Sequence, residues 1–400
     1  MKKTILCIAL LIIAFGESIF SQQIGRRARL GALLTDSLGC YVKTVVQGSS
    51  AEKIGLKDGD VLLTINNMAL SNHIEAISIL SKMREGDSIF IEILRDNMGK
   101  SISGELGGVP YDSYDFADVV YDSFVYQGGF IRNILIKPKG EGRFPTLFFI
   151  PGYTCSSIDN MGEDHPYEKF ILELVKNGIA VCKTEKPGMG DCVGTVSCED
   201  ADLYQELAVF KESYNQLHLY DFVDTNAIYI FGHSMGGVYA PLLDVNIQPK
   251  GIAVFGTVVR SWFEYFIEQM RVQRFIIGED YLLNDSLFNT RASFYYNFMV
   301  EKKSPDELRK NSNFAQILTQ HWNNSDSIYM SGRNYKFWQQ LQDANIIMAW
   351  SKYGGEVLSM WGQGDFIAFS EYDHRLLAQI INKKTPGKAT FISIPDIDHG

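Results

Sequence analysis

Residues 227–244, AIYIFGHSMGGVYAPLLD, place a serine between two glycines where an apolar run turns into a helix-like segment. The run Ala227–Phe231 lacks polar alternation, so it reads as a strand covered on both faces. A strand passing into a helix through Gly232-His233-Ser234-Met235-Gly236 must turn sharply. Such a turn lifts the serine hydroxyl off the sheet, and glycines flank it because side chains there would strike the strand and helix. The five-residue pattern is weak by itself, so the order of the surrounding elements has to decide its meaning.

That order is regular. TLFFI (146–150) ends at Pro151-Gly152, and HPYEKFILELVKNG (165–178) is an amphipathic helix closed by a glycine. IAVCKT (179–184) is a second buried strand, and Leu203, Leu207, Phe210, Tyr214 and Leu217 repeat at helical spacing. After the serine turn come GIAVF (251–255), VLSMW (357–361) and ATFISI (389–394). Continuous apolar strands separated by helices imply an α/β class with a doubly wound, mostly parallel sheet. A ligand site in such a sheet lies beyond the carboxyl ends of the strands.

Four hundred residues at 46% hydrophobic content can bury cores for two or three domains. The net charge of −10, with acids spread along the chain, speaks against nucleic acid as a partner. Lys2 and Lys3 precede a dozen apolar residues, and small Ser21 comes after them, which is the pattern of a cleaved leader over residues 1–21. The apolar run is too short to span a bilayer and nothing later resembles a span, so an exported, periplasmic or secreted, protein is expected. Cys40, Cys155, Cys182, Cys192 and Cys198 remain after the leader, and an oxidising compartment permits a disulfide among them. No C-x-x-C or Cys/His cluster occurs, and neither metal nor cofactor is expected.

Residues 24–107 form a separate small module, with a Gly-Pro-Tyr-rich linker after it near 107–116. GSSAEKIGLKDGDVLLTINN (48–67) combines a short helix, two glycine turns and a strand. HIEAISILSKM (73–83) sets Ile74, Ile77 and Leu80 on one helical face, and DSIFIEILRD (87–96) alternates as a half-buried strand. This module resembles a PDZ domain, most like those of exported bacterial serine proteases. The resemblance implies that RLGAL (29–33), with Arg29, Leu30, Gly31 and Ala32, receives the carboxylate of a C-terminal peptide added as a strand. A module that only packs on its neighbour is the alternative.

From about residue 115 to 400 the chain resembles the α/β-hydrolase superfamily, in its serine-aminopeptidase-like and dienelactone-hydrolase-like branch. PGYTC (151–155), EKPGMGD (185–191), GHSMGG (232–237), GQGDF (362–366) and DIDHG (396–400) carry it. The resemblance implies a nucleophile, acid, histidine order along the chain. Ser234 is then the nucleophile, Asp365 the acid and His399 the base, with Asp373 as the fallback acid. His374 shares a helix with Asp373 and reads as a surface or supporting residue, while His233 is the variable position of the motif. The oxyanion donors expected are the backbone N–H of Met235 and that of Tyr153 or Thr154. A Cys155–Cys198 bridge would brace the oxyanion loop, with Cys192–Cys198 as the rival pairing. The segment 256–356, rich in Phe, Tyr, Trp and Met, matches a cap of helices over the site, and would suit an apolar or aryl acyl group. Such folds close with a helix after the histidine, so the natural product is expected to continue past Gly400. The implied activity is hydrolysis of carboxylic esters. Cleavage of short peptides, or a peptide-binding scaffold without chemistry, are the alternatives.

Overall fold

The computed structural model describes residues 24–37, 39–321 and 328–400; the expected leader at 1–21 lies outside the described residues. Among the described residues no helix is long and apolar enough to cross a membrane.

The N-terminal unit is built from β1 (Ala28–Arg29), β2 (Ala32–Asp36), β3 (Cys40–Val45), α1 (Ser50–Lys53), β4 (Val61–Ile65), β5 (Met68–Ala69), α2 (His73–Leu80), β6 (Ser88–Arg95), β7 (Met98–Glu105) and β8 (Gly107–Gly108). Its main sheet runs β2-β3-β4-β6-β7, with β5 on β4, and every pairing is antiparallel. Strand β6 shows why. Ile89, Ile91 and Ile93 point into the core while Phe90 and Glu92 point out, the period of two that a one-sided sheet requires. Of the expected Ile74–Ile77–Leu80 stripe, Leu80 packs against this core and Ile74 and Ile77 do not. Ala76 is the buried residue of α2, Ile74 and Ile77 are 65% and 54% exposed, and Ile77 and Leu80 border an open groove beside β2. The expected linker is also shorter than its composition implies: Gly107 and Gly108 are a strand paired with β1.

The second unit is built on an eight-stranded sheet of β9 (Ala117–Tyr126), β10 (Gly129–Pro138), β11 (Phe144–Ile150), β12 (Ala180–Thr184), β13 (Val223–His233), β14 (Gly251–Phe255), β17 (Glu356–Gly362) and β18 (Ala389–Ile394). Its order is β18-β17-β14-β13-β11-β12-β10-β9, parallel except at β10, which is antiparallel to both neighbours. The hairpin β9–β10 is not among the strands expected from the sequence. Buried Arg132 and Asn133 interrupt the apolar run of β10, and their partners lie far off in the chain. Helix α3 (Pro166–Lys176) covers one face with Leu147, Phe149 and Phe231. Helices α4 (Leu203–Gln216), α5 (Met235–Tyr239) and α12 (Glu371–Lys384) cover the other, over Phe148, Ile150 and Ile230.

Between β14 and β17 lie α6 (Trp262–Ile276), α7 (Tyr281–Tyr295), α8 (Pro305–Arg309), α9 (Ala315–His321), the two-residue strands β15 (Tyr329–Met330) and β16 (Arg333–Asn334), α10 (Tyr335–Asp343) and α11 (Ile346–Lys352). The aromatic residues that mark this insert pack on one another. Phe266 stacks on Tyr295 at 4.7 Å and meets Trp338 at 5.8 Å, and all three are buried. The aromatic composition of the insert therefore reports its own core and gives no reading of the acyl group.

The two units meet through buried charge. Arg26, 1% exposed, reaches Asp191 at 2.5 Å and Asp159 at 2.7 Å, and donates to the carbonyls of Val109 and Pro110. Arg132 of β10 shares Asp191 at 3.1 Å, and the Arg27 N–H donates to the same carboxylate at 2.8 Å. Desolvated charges persist only when paired in this way.

Candidate active site

Strand β13 ends at His233, and the first turn of α5 starts at Met235. Ser234 sits between them at φ 54°, ψ −116°, a left-handed backbone that a non-glycine residue holds only when its surroundings enforce it. Here the Ser234 N–H donates to the Phe255 carbonyl at 2.8 Å, and its carbonyl accepts from Gly237 at 3.0 Å. The flanking glycines are required by contact: a Cβ on Gly232 would lie 2.4 Å from the Gly236 oxygen, and one on Gly236 would lie 2.1 Å from the Ile150 oxygen.

Three side chains from distant parts of the chain converge at this turn. His399 Nε2 is 2.9 Å from Ser234 Oγ, and its Nδ1 is 2.8 Å from Asp365 Oδ2. Asp365 lies just after β17 and is buried, and its Oδ1 accepts from the N–H groups of Ile367 and Ala368 at 2.8 and 2.7 Å. With one oxygen so held, the other faces the imidazole, which fixes the proton on His399 Nδ1 and leaves Nε2 to accept from the serine.

His233 does more than fill a variable position. Its Nε2 donates to the His399 carbonyl at 2.5 Å, so its Nδ1 accepts from the Tyr167 hydroxyl, also at 2.5 Å. Tyr167 in turn accepts from the Gly152 N–H at 3.3 Å. Burial pushes the His233 pKa down to about 4, so the ring stays neutral and joins the two loops flanking Ser234.

Asp373 and His374 bond to the loop after β14 and to β17 in place of Ser234, and His374 is not a surface residue: it is fully buried. His374 Nε2 accepts from the Thr257 N–H at 3.2 Å, and its Nδ1 lies 2.9 Å from Ser359 Oγ. Asp373 accepts from the N–H groups of Val259 and Arg260, both at 2.9 Å, and pairs with the Arg260 side chain. Together they pin the loop after β14, whose Gly256 abuts the His399–Asp365 pair. A signal for this existed: Asp373 and His374 share the helical stripe of Leu377, Ala378 and Ile381, which is the buried face of α12. Asp396 and Asp398 are exposed.

Tyr153 and Thr154 lie in the loop after β11. Gly152 lies against Ser234, since a Cβ on it would be 3.5 Å from Ser234 Cβ. Among the described residues, no acceptor takes the backbone N–H of Tyr153, Thr154 or Met235. Cys155 and Cys198 are joined as a disulfide with Cα atoms 5.6 Å apart, and Cys40, Cys182 and Cys192 are buried free thiols. No group of three or more His, Cys, Asp or Glu among the described residues is placed to hold a metal ion.

In the N-terminal unit the segment Arg29, Leu30, Gly31, Ala32 turns from β1 into the free edge of β2. The carbonyls of Arg29, Leu30 and Gly31 accept from Ser50 Oγ and from the N–H groups of Ala51 and Val46. Leu30, Ala32, Ile77 and Leu80 line a cleft of about 470 Å³ beside α2, whose far wall is Asn160 and Met189 of the second unit.

Residues 23–106 match the family model described as PDZ domain. The chain is 30% identical over 99 residues, 22% of its length, to a probable periplasmic serine endoprotease DegP-like protein of Marinomonas sp. (strain MWYL1). It spans between 21% and 33% of the length of the curated relatives it matches. Among solved structures it is similar to Est1E from Butyrivibrio proteoclasticus bound to ferulic acid, with TM-score 0.44, 16% identity, and coverage of 69% of this chain and 90% of that one. It is also similar to the acylaminoacyl peptidase of Pyrococcus horikoshii, with TM-score 0.43, 10% identity, and coverage of 80% and 51%. The chain carries a PDZ domain at residues 23–106, and the eight-stranded sheet with its serine turn gives the second unit an α/β-hydrolase fold.

Proposed function

We propose that the protein is an exported serine hydrolase that cleaves carboxylic esters, with the PDZ domain docking a peptide C-terminus or a partner's tail. The observation that carries the reading is the unbroken hydrogen-bonded line from Ser234 Oγ through the His399 ring to Asp365, at 2.9 and 2.8 Å. A serine hydroxyl is a weak nucleophile, and a neutral imidazole oriented by a carboxylate is what activates it. Ser234 Oγ attacks the ester carbonyl carbon while His399 Nε2 takes its proton. The resulting oxyanion is met by the N–H of Met235 and that of Tyr153 or Thr154, Tyr153 being next to the glycine that abuts Ser234. Collapse expels the alcohol, which takes the proton back from His399. Water then attacks the acyl-enzyme by the same route and releases the acid. No cofactor takes part.

In this reading the units are 24–107 and 115–400, with 256–356 as the cap. Export rests on the leader pattern, the Cys155–Cys198 bridge and the periplasmic description of the matched relative. A second reading, cleavage of short peptides, is favoured by the PDZ match alone, because a module that captures peptide ends would serve a peptidase.

A fluorophosphonate probe tests the chemistry. The folded protein should be labelled, and Ser234→Ala should abolish labelling and lower turnover by about 10⁴-fold or more. A folded wild-type chain that takes no label, or a label that persists in Ser234→Ala, removes the proposal. A panel of p-nitrophenyl esters against aminoacyl anilides then separates esterase from peptidase.

A further inference from the structure

The loop after β11 is held from behind by two buried cations. Lys186 Nζ donates to the Gly152 carbonyl at 2.6 Å and to the Thr154 carbonyl at 3.2 Å. Arg333, which belongs to the insert, donates to the Tyr153 carbonyl at 3.0 Å. Three successive carbonyls of one short loop are thus turned to the same side. Both cations are almost wholly buried, as is Glu206, which pairs with Arg333, lies 3.8 Å from Lys186 and accepts from the Tyr239 hydroxyl at 2.6 Å.

We infer that Lys186 and Arg333 are positioning residues that set the oxyanion loop with its N–H groups toward Ser234. In a trans peptide the N–H points opposite to the carbonyl of the same unit. The Gly152 carbonyl aimed at Lys186 therefore turns the Tyr153 N–H away from it, and the Tyr153 carbonyl aimed at Arg333 does the same for Thr154. These are the N–H groups without an acceptor among the described residues. Charge-assisted bonds of this kind fix geometry more firmly than neutral ones, and an oxyanion site depends on donors that need no rearrangement.

Arg333 adds a condition. It opens β16, and the β15–β16 hairpin is tied down by Trp338 Nε1 donating to the Met330 carbonyl at 2.9 Å and by the Asn334 N–H donating to the Glu199 carbonyl at 2.8 Å. The loop is correctly set only when this part of the insert is seated. Lys186 also faces Glu206, Arg333 and Glu185; burial outweighs the pull of the carboxylates and brings its pKa down to about 8.

This inference rests on the serine-hydrolase reading, and the test separates the two. Lys186→Met, Arg333→Met and Arg333→Lys would be made in the full chain. Their kcat and KM for p-nitrophenyl acetate would be measured beside the inhibition constant of an alkyl trifluoromethyl ketone, which forms an oxyanion on Ser234. In Lys186→Met and Arg333→Met, kcat should fall about 10- to 100-fold with KM nearly unchanged, and ketone binding should weaken by the same factor. Arg333→Lys, which keeps a donor, should recover most of the loss. Unchanged turnover, or a fall in kcat with ketone affinity intact, overturns the inference while leaving the hydrolase reading standing. If Lys186→Met does not fold, the Arg333 variants decide; if none folds, the role is structural and the inference fails. A wild-type chain inert to fluorophosphonate removes the reading and the inference together.

Discussion

Gly256 offers the sharpest test of the candidate site, because it is where the loop after β14 touches the His399–Asp365 pair. Its φ is +62°, and a Cβ built there would lie 3.0 Å from Asp365 Oδ2, His399 Cε1 and His399 Nδ1 alike. Ordinary contact needs about 3.4 Å or more, so Gly256→Ala must push one partner back by a few tenths of an ångström. Asp365 is anchored by two N–H groups, so the ring of His399 moves. A misplacement of about 1 Å can cost about 100-fold, so kcat/KM should fall roughly 10- to 100-fold. The left-handed backbone adds about 1–2 kcal/mol of lost stability. Gly387→Ala is the control: its φ is +80° and nothing lies within 4 Å of the added methyl. It should melt at a similarly lowered temperature and keep full activity. Hydrolysis of p-nitrophenyl acetate, with thermal melts of both variants, reads the result. A Gly256→Ala enzyme within about twofold of wild type would show that this contact does not set the geometry of the pair.

Arg26→Met should cost about 3 kcal/mol, the lower end for breaking a buried ion pair, because Asp191 keeps Arg132 and the Arg27 N–H while Asp159 loses its cation. Urea unfolding monitored by tryptophan fluorescence should show an earlier transition for the variant; an unmoved midpoint contradicts the role given to this cluster. Acid should also destabilise the protein, since burial lowers both His233 and His374 to about 4. Both pKa values are depressed below the unfolded value of about 6.5, so stability is full above that pH and falls as pH drops toward 4, by about 3 kcal/mol for each ring. The stability difference between wild type and His374→Gln should therefore shrink by about that amount between pH 7 and pH 4. A difference independent of pH would count against the buried, neutral assignment.

Much of this architecture was legible from residue order. The apolar runs of β11, β12, β14, β17 and β18 and the serine turn stand out because side-chain periodicity is local, and a strand covered on both faces shows it within five residues. Asp365 and His399 are candidates because they follow such strands, and they lie in one hydrogen-bonded line with Ser234. Strand β10 escaped because Arg132 and Asn133 break its pattern, and their partners Asp191 and Thr184 lie 59 and 51 residues away. Lys186 lies in a segment that carries the resemblance, but its contact with the loop after β11 had no local mark, and neither did the contacts of Arg333, Tyr167 and Gly256.

The amino-acid order by itself determined the strands with unbroken apolar runs, the helices with an apolar stripe, and where a sharp turn lifts a serine, since those depend on spacing along a few residues. Only the tertiary structure decided which charge meets which carbonyl, and that a histidine 165 positions from Ser234 reaches its hydroxyl. Pairings of that kind depend on how sheet, loops and insert pack together, and no short window of residues contains them.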